Sequence, residues 1–214
     1  MTSASAEEEE YYSLTKKAFD LLAPFYNLMT LLLARVRGLV VDFTNAETGS
    51  RVLDVATGTG QQAFAFAKRG YQVTSVDLTE AMLAIARKNN PDGLVKLEVG
   101  DATHLRFGES SFDVSCVSFA LHDMPLPIRE KVLAEMVRVT KPNGSIVIVD
   151  YGLPQNRLGR FLIYHLIKIY EGDYYTKFII SDLEGLARKM GIEILEEGGL
   201  LLGAGRILRG KKTQ

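Results

Sequence analysis

Residues 52–63 read Val-Leu-Asp-Val-Ala-Thr-Gly-Thr-Gly-Gln-Gln-Ala, and their order predicts a strand, a turn and a helix in succession. An apolar run typical of a buried strand ends in a glycine-rich turn, and a helix-forming segment follows it. Gly58, Gly60 and Ala63 have the G-x-G-x-x-G/A spacing of a dinucleotide-binding loop. The spacing alone is a weak signal, because a tight turn between a strand and a helix can require the same glycines.

Short β-type runs alternate with helical segments along the middle of the chain. We expect strands at 51–55, 72–77, 94–99, 112–119 and 145–150, with helices at 61–69, 79–89 and 128–140. This alternation predicts parallel βαβ units and an α/β fold with a Rossmann-like, doubly wound sheet. Two closing runs, 192–197 and 200–208, predict an antiparallel C-terminal hairpin that turns at Gly198-Gly199 and brings the sheet to seven strands.

The length of 214 residues suits one domain with a well-buried core. We expect residues 1–10, which are acidic and rich in serine and alanine, to be mobile. Residues 11–214 are predicted to form the single domain, with a helical N-terminal cap at 11–48. Residues 155–180 are predicted to form a lid insertion, with a helix at 160–170 and a tyrosine-rich turn at 170–175.

Composition argues against several classes of function. A net charge of −1 leaves no basic field for nucleic acid. One cysteine leaves no disulfide or cysteine-cluster metal site, and three scattered histidines lack ligand spacing, so no metal is expected. The N-terminus does not resemble a signal peptide, and the apolar stretch at 21–34 is too short to span a membrane. We expect a cytoplasmic protein; peripheral membrane contact is possible but not expected, and the oligomeric state is open.

Carboxylates lie near the ends of three predicted parallel strands, and such sheets bind ligands beyond the carboxyl ends of their strands. Asp54 would repel a pyrophosphate but would attract the ammonium group of an amino acid. Asp77 can accept hydrogen bonds from both hydroxyls of a ribose, and it can also cap the next helix. Asp101 can accept a hydrogen bond from the exocyclic amine of adenine. Together the three favour S-adenosylmethionine over a nicotinamide dinucleotide.

Four motifs carry a resemblance to a known family. Val-Leu-Asp-Val-Ala-Thr-Gly-Thr-Gly (52–60), Ser-Val-Asp-Leu-Thr-Glu-Ala-Met-Leu (75–83), Gly-Asp-Ala (100–102) and Val-Thr-Lys-Pro-Asn-Gly (139–144) resemble the class I S-adenosylmethionine-dependent methyltransferases. Ala-Pro-Phe-Tyr-Asn-Leu-Met (23–29) is similar to the opening helix of the ubiquinone/menaquinone-biosynthesis C-methyltransferase group. The resemblance covers about residues 19 to 209 and implies a methyltransferase domain that uses S-adenosylmethionine.

The resemblance also implies roles for individual residues at the cofactor. Tyr26 would close over the cofactor, and Ser118 would lie on the sulfonium side. Thr57, Gly58 and Gly60 would hold the methionine part. Around the ribose and the adenine, the implied residues are Asp77, Leu78, Asp101 and Ala102. Three further residues complete the set of predicted cofactor-binding positions: Asp54, Ala56 and Met82.

His122 and Asp123 follow the fourth predicted strand, beside the place where the methyl group would leave. A histidine there can take a proton from a hydroxyl group as the methyl group arrives, and Asp123 could orient the imidazole. The pair resembles the base position of plant small-molecule O-methyltransferases, whereas the quinone group usually has Arg-Asn. The alternative is that His122 only hydrogen-bonds the loop or lines the pocket.

The predicted acceptor is a small aromatic or lipophilic molecule, methylated on carbon or oxygen, because the predicted lid is rich in aromatic residues. Two other functions stay open from the sequence. One is a nicotinamide-dependent oxidoreductase of the Rossmann type. The other is a non-catalytic protein that binds S-adenosylmethionine without turning it over.

Overall fold

The computed structural model describes residues 11–13, 33–154, 156–170 and 173–213. Residues 11–13 are helical, and the next described helix is α1 (Ala34–Phe43). Both lie within the predicted helical cap. Tyr26, the motif at 23–29 and the predicted mobile segment 1–10 lie outside the described residues.

One sheet organises the described part of the chain. Its seven strands are β1 (Arg51–Val55), β2 (Gln72–Asp77), β3 (Val95–Val99), β4 (Phe112–Ser118), β5 (Thr140–Tyr151), β6 (Ile192–Leu200) and β7 (Gly205–Lys212). They lie in the order β3-β2-β1-β4-β5-β7-β6. The first five strands pair in parallel, and β7 is antiparallel to both β5 and β6. The predicted α/β fold, with a mostly parallel sheet and an antiparallel C-terminal hairpin, is confirmed.

Helices cover both faces of this sheet, as expected for a doubly wound fold. After α1, the described α-helices are α2 (Gln61–Ala67), α3 (Glu80–Lys88), α4 (Leu126–Val139), α5 (Arg157–Tyr170), α6 (Asp173–Ile179) and α7 (Leu183–Lys189). One hydrophobic cluster joins the sheet to α4, α6 and α7, and the other joins it to α1 and α2. Among the helices that the structure describes, none has the length and apolar character needed to cross a membrane.

The sequence of β1 shows why it lies at the centre. Its side chains point to the two faces in turn, so that Leu53 and Val55 join the cluster of α4 while Val52 joins that of α1 and α2. All three are fully buried. A strand covered on both faces needs a continuous apolar run, and Asp54, which interrupts it, is the residue that needs a functional explanation.

The turn of the C-terminal hairpin is not at the predicted position. Gly198 and Gly199 lie within β6, opposite Ile207 and Arg206 of β7. A Cβ atom on Gly198 would be 3.2 Å from Cγ2 of Ile207, so contact between the strands explains the absence of a side chain. The turn is formed by Leu201–Gly203 instead.

Two residues of the predicted tyrosine-rich turn are helical instead, because Tyr174 and Tyr175 lie in α6. Residues 171 and 172 of that prediction lie outside the described residues. Tyr175 and Phe178 are one helical turn apart and both fully buried, so they give α6 an apolar face that packs on the domain. Similarly, β5 begins at Thr140 rather than at residue 145. Its pairing with β4 jumps from Thr140 to Ser145, so residues 141–144 form an irregularity within the strand.

Candidate active site

Two cavities lie at the carboxyl ends of the central strands, on either side of the glycine loop that follows β1. The strand order reverses here, and doubly wound sheets bind ligands at this point. We name the cavities after the carboxylate in each. The Asp77 cavity contains the predicted residues Ala56, Gly58, Asp77, Leu78, Met82, Asp101, Ala102 and Asp123. The Asp54 cavity contains Asp54, Ala56, Thr57 and Ser118.

The glycine loop needs its glycines for backbone conformation and for space. Gly58 and Gly60 have φ angles of +55° and +80°, in the left-handed region. A Cβ atom on Gly60 would lie 3.0 Å from two ring atoms of Phe64 and 3.2 Å from the Cβ atom of Ala86. Gly60 lines neither cavity in the described structure, so it acts by letting the loop meet α2 closely.

Gly60→Ala is expected to lower the free energy of unfolding by about 2–3 kcal/mol, from backbone strain plus the clash with Phe64. Gly49→Ala is the matched control. Gly49 has φ +90°, but no described atom lies within 4 Å of the position that a Cβ would take, so only the strain of about 1 kcal/mol applies there. Urea denaturation of both variants measures the difference, and equal losses would show that the contact with Phe64 contributes nothing.

Asp77 anchors the loop and remains able to bind a ligand. Its Oδ2 accepts a hydrogen bond from the backbone N–H of Gly58 at 2.7 Å, and its Oδ1 accepts one from that of Thr79 at 2.9 Å. Burial raises the pKa of Asp77, and these hydrogen bonds oppose the rise. Each carboxylate oxygen keeps a further lone pair. Asp77 therefore holds the start of α3 in place, and it can also accept from a ribose hydroxyl.

Asp54 is almost fully buried in the neighbouring cavity, where its Oδ2 accepts a hydrogen bond from Thr57 Oγ1 at 2.5 Å. Burial raises the pKa of Asp54 to about 7, with the hydrogen bond from Thr57 opposing the rise and the charge of Asp77 adding to it. A cation placed beside Asp54 would stabilise its ionised form. The Asp54 cavity therefore favours a positively charged ligand group.

Asp101 already has donors from the protein. Tyr12 Oη donates to its Oδ2 at 2.9 Å, and Thr103 donates to its Oδ1 from both its backbone N–H and its Oγ1 at 2.8 Å. Tyr11 and Tyr12 line the Asp77 cavity. Sequence reasoning missed both tyrosines, because a Tyr-Tyr pair after an acidic run has no spacing that points to a cavity.

His122 does not reach the cavity directly, although Asp123 does. His122 is 3% exposed, and its Nδ1 lies 2.7 Å from Oδ1 of the fully buried Asp150. On the other side, Nε2 lies 3.5 Å from Oδ2 of Asp123. The three side chains form a line from the cavity into the domain. Sequence reasoning missed Asp150, which lies within an apolar strand 28 residues from His122.

An aromatic row runs from the cavities toward the predicted lid. Phe119 lines both cavities, and its ring centroid is 5.5 Å from that of Tyr151. Tyr151 in turn contacts His122 at 4.6 Å and Tyr175 at 5.5 Å, and His122 contacts Phe178 at 6.3 Å. These edge-on contacts join β4, β5 and α6 beside the two cavities.

Known proteins provide an independent comparison. Residues 53–148 match a family model described as a methyltransferase domain. Over this central part, the chain is similar to known methyltransferases. The chain is 35% identical over 177 residues to a demethylmenaquinone methyltransferase of Paenarthrobacter aurescens, an alignment that covers 80% of the chain and 64% of that relative. The predicted resemblance is confirmed, and the cofactor of the family is S-adenosylmethionine.

Two further relatives extend the comparison. The chain is 29% identical to the ubiquinone/menaquinone biosynthesis C-methyltransferase UbiE of Citrifermentans bemidjiense over 95% of the chain and 90% of that relative. A methyltransferase from Haloferax volcanii, solved with its activator Trm112, has a TM-score of 0.76 at 16% identity, covering 92% and 98% of the two chains. Such low identity shows the fold alone. Among the demethylmenaquinone methyltransferases, the chain spans about half to two thirds of several relatives.

The two cavities fit the chemistry of S-adenosylmethionine. The Asp77 cavity offers carboxylates and apolar walls for an adenosine, and the Asp54 cavity offers a buried carboxylate for an ammonium group. The Asp54 cavity is also lined by Thr59 and Gln62, whose Oγ1 and Oε1 atoms are buried and have no partner among the described residues. An amino acid end could satisfy such atoms. No group of histidine, cysteine, aspartate or glutamate side chains in the described residues could hold a metal ion.

Proposed function

We propose that this protein is a methyltransferase that transfers a methyl group from S-adenosylmethionine to a small aromatic or lipophilic acceptor, on carbon or oxygen. S-adenosylmethionine would supply a methyl group activated by its positively charged sulfur. The observation that carries the acceptor class is the position of Phe119, which lines both cavities and begins the aromatic row. Rings of this kind bind a flat acceptor by stacking and exclude water from it.

Asp54 and Asp77 would bind different parts of the cofactor. Asp54 would pair with the ammonium group, and Ser118 would lie beside the reacting end, since both line the same cavity. Asp77 would accept from the ribose, with Leu78 and Met82 against the adenine. Orientation by fixed groups of this kind is a large source of rate in a two-substrate transfer.

For an acceptor with an ionisable hydroxyl, we infer that the hydroxyl proton is removed by a line of three side chains, Asp123, His122 and Asp150. Asp123 touches the cavity and would accept the proton from the hydroxyl. His122 lies behind Asp123, and Asp150 holds the imidazole through Nδ1. This order would reverse the roles expected from the sequence, because His122 is buried while Asp123 lines the Asp77 cavity. His122 would act through Asp123 as a positioning residue.

The relatives suggest which acceptors to test first. Several are named demethylmenaquinone methyltransferases, so a hydroxylated aromatic ring of the quinol type is the first class. The chain has His122-Asp123 where the quinone group usually has Arg-Asn, so phenols belong in the same panel. Release of S-adenosylhomocysteine with a quinol or a phenol supports the proposal. Cofactor binding with no turnover on the panel would favour a non-catalytic protein, and binding of NAD(H) alone would favour an oxidoreductase.

Asp123→Asn and His122→Ala are each expected to lower kcat by about a hundredfold, because a positioned proton acceptor typically contributes that much. The dissociation constant of S-adenosylhomocysteine should stay within about threefold of the wild-type value. In the wild-type chain kcat should rise with pH through one ionisation, and this rise should vanish in Asp123→Asn.

Asp113→Asn is the matched control, since Asp113 lies near the amino end of β4 and pairs with Lys141. Its kcat should match the wild-type value. An Asp123→Asn enzyme with unchanged kcat and an unchanged pH profile would remove the line of three side chains from the mechanism.

A further inference from the structure

We propose that one surface of the domain docks on an anionic lipid bilayer. This surface, the α5 patch, is formed by the start of α5, the residue after α6 and the β6–β7 turn. The proposal does not depend on the proposed methyl transfer, because it concerns side chains outside both cavities. The patch consists of Leu158, Phe161, Ile180 and Leu202, with Arg157 and Arg160.

The apolar members of the patch are unusually exposed. Leu158 is 70% exposed, Phe161 61%, Ile180 74% and Leu202 fully exposed at 101%. Single exposed apolar side chains are common, but large ones gathered on one surface mark a contact site.

Close approaches of the backbone connect the two parts of the patch through Pro154. A Cβ atom on Gly203, in the β6–β7 turn, would lie 3.1 Å from Cα of Pro154. A Cβ atom on Gly159, in the first turn of α5, would lie 3.1 Å from Cβ of the same proline. The backbone N–H of Gly152 also donates to the carbonyl of Ala204 at 3.0 Å. The turn that carries Leu202 therefore lies against the start of α5.

The exposed Leu201 and Leu202 of the β6–β7 turn have unfavourable backbone conformations. Leu201 and Leu202 have φ angles of +51° and +57°, a region that leucine rarely adopts. Each such residue costs about 1 kcal/mol, and backbone strain of this kind concentrates at functional sites. Packing of the two side chains does not offset the cost, because both are exposed.

The basic side chains beside the α5 patch favour an anionic partner. A hollow beside the apolar members is lined by Leu153, Tyr164 and Ile180 and by the basic side chains of Arg157, Arg160 and His165. None of the described residues that line it is acidic. Exposed apolar groups next to arginines match an anionic bilayer, where the apolar groups enter the headgroup region and the arginines meet the phosphates. At 14 residues, α5 is too short to span a bilayer and would lie along its surface.

The absence of tryptophan from the chain allows a direct test. Leu202→Trp places a single tryptophan at the exposed tip of the turn. Its fluorescence should shift to shorter wavelength when vesicles of phosphatidylcholine and phosphatidylglycerol (about 7:3) are added to the full chain. Combining it with Arg157→Gln and Arg160→Gln should weaken vesicle binding by about tenfold or more, because each basic residue near an anionic surface contributes about 1 kcal/mol.

Leu94→Trp is the matched control, because Leu94 is 59% exposed but lies next to β3, at the far edge of the sheet from β6 and β7. Its emission should not change with vesicles. Three results would each overturn the proposal: no shift for Leu202→Trp, equal shifts for the two variants, or equal shifts with pure phosphatidylcholine. A shift that grows with protein concentration without vesicles would assign the patch to self-association instead.

Discussion

Asp54→Asn is expected to flatten the pH dependence of cofactor binding. In the wild-type chain the pKa of Asp54 is raised to about 7 by burial, so the carboxylate is mostly neutral at about pH 5.5 and half ionised near pH 7. A ligand ammonium group stays charged over this range, because α-amino groups titrate near 8. The affinity for S-adenosylhomocysteine should therefore rise about tenfold across this pH range. In Asp54→Asn the affinity should be weaker than that of the wild type at neutral pH and nearly independent of pH.

The same substitution should stabilise the ligand-free protein. The folded-state pKa of Asp54 lies above its unfolded value of 3.8, so the folded state binds more protons between the unfolded pKa and about 7. Stability is then lost as the pH rises through this window, by an amount on the order of 4 kcal/mol. Asparagine carries no charge to desolvate, so the variant should melt several degrees higher than the wild type at about pH 8.

Isothermal titration and thermal melts measure the two effects on the same samples. Asp42→Asn is the control, because Asp42 is exposed and pairs with Arg69 at the surface. It should leave both the affinity and its pH dependence unchanged. A wild-type affinity that is constant from mildly acidic to neutral pH would mean that Asp54 does not contact the charged end of the ligand.

Asp77→Ala is expected to weaken the binding of S-adenosylhomocysteine by about a hundredfold or more. The substitution removes a carboxylate that would accept from the ribose, and hydrogen bonds to charged groups contribute about 1.5–3 kcal/mol each. It also leaves the backbone N–H groups of Gly58 and Thr79 without their acceptor, so the glycine loop loses its anchor. Both the lost hydrogen bond to the ribose and the lost anchor of the loop should weaken binding.

Asp77→Asn separates the two contributions. The amide keeps the volume and one acceptor oxygen, so it should retain the hydrogen bond to Thr79 while losing the charge. An affinity between those of wild type and Asp77→Ala is expected from titration calorimetry. Asp113→Ala, at the other end of the sheet, should bind as the wild type does. An Asp77→Ala affinity within about threefold of wild type would place the ribose elsewhere.

Sequence patterns predicted the parts of the fold that depend on local order. The strand ends, the glycine loop and the three aspartates were predictable because parallel strands bring their carboxyl ends to one edge. The partner of His122 was not, because Asp150 meets it only through the pairing of β4 with β5. The hairpin turn was missed because glycine propensity favours a turn at Gly198-Gly199, whereas in the paired strands a side chain at Gly198 would crowd Ile207.

The common wall of the two cavities has a practical consequence for ligand design. Ala56 and Phe119 line both, so two small fragments can bind side by side, one in each cavity, without competing. Joining such fragments across the wall makes the second binding event intramolecular, and the gain in affinity then depends on the length and stiffness of the linker. A fragment confined to the Asp77 cavity would not contact Asp54, so its affinity would not depend on the ionisation of that carboxylate.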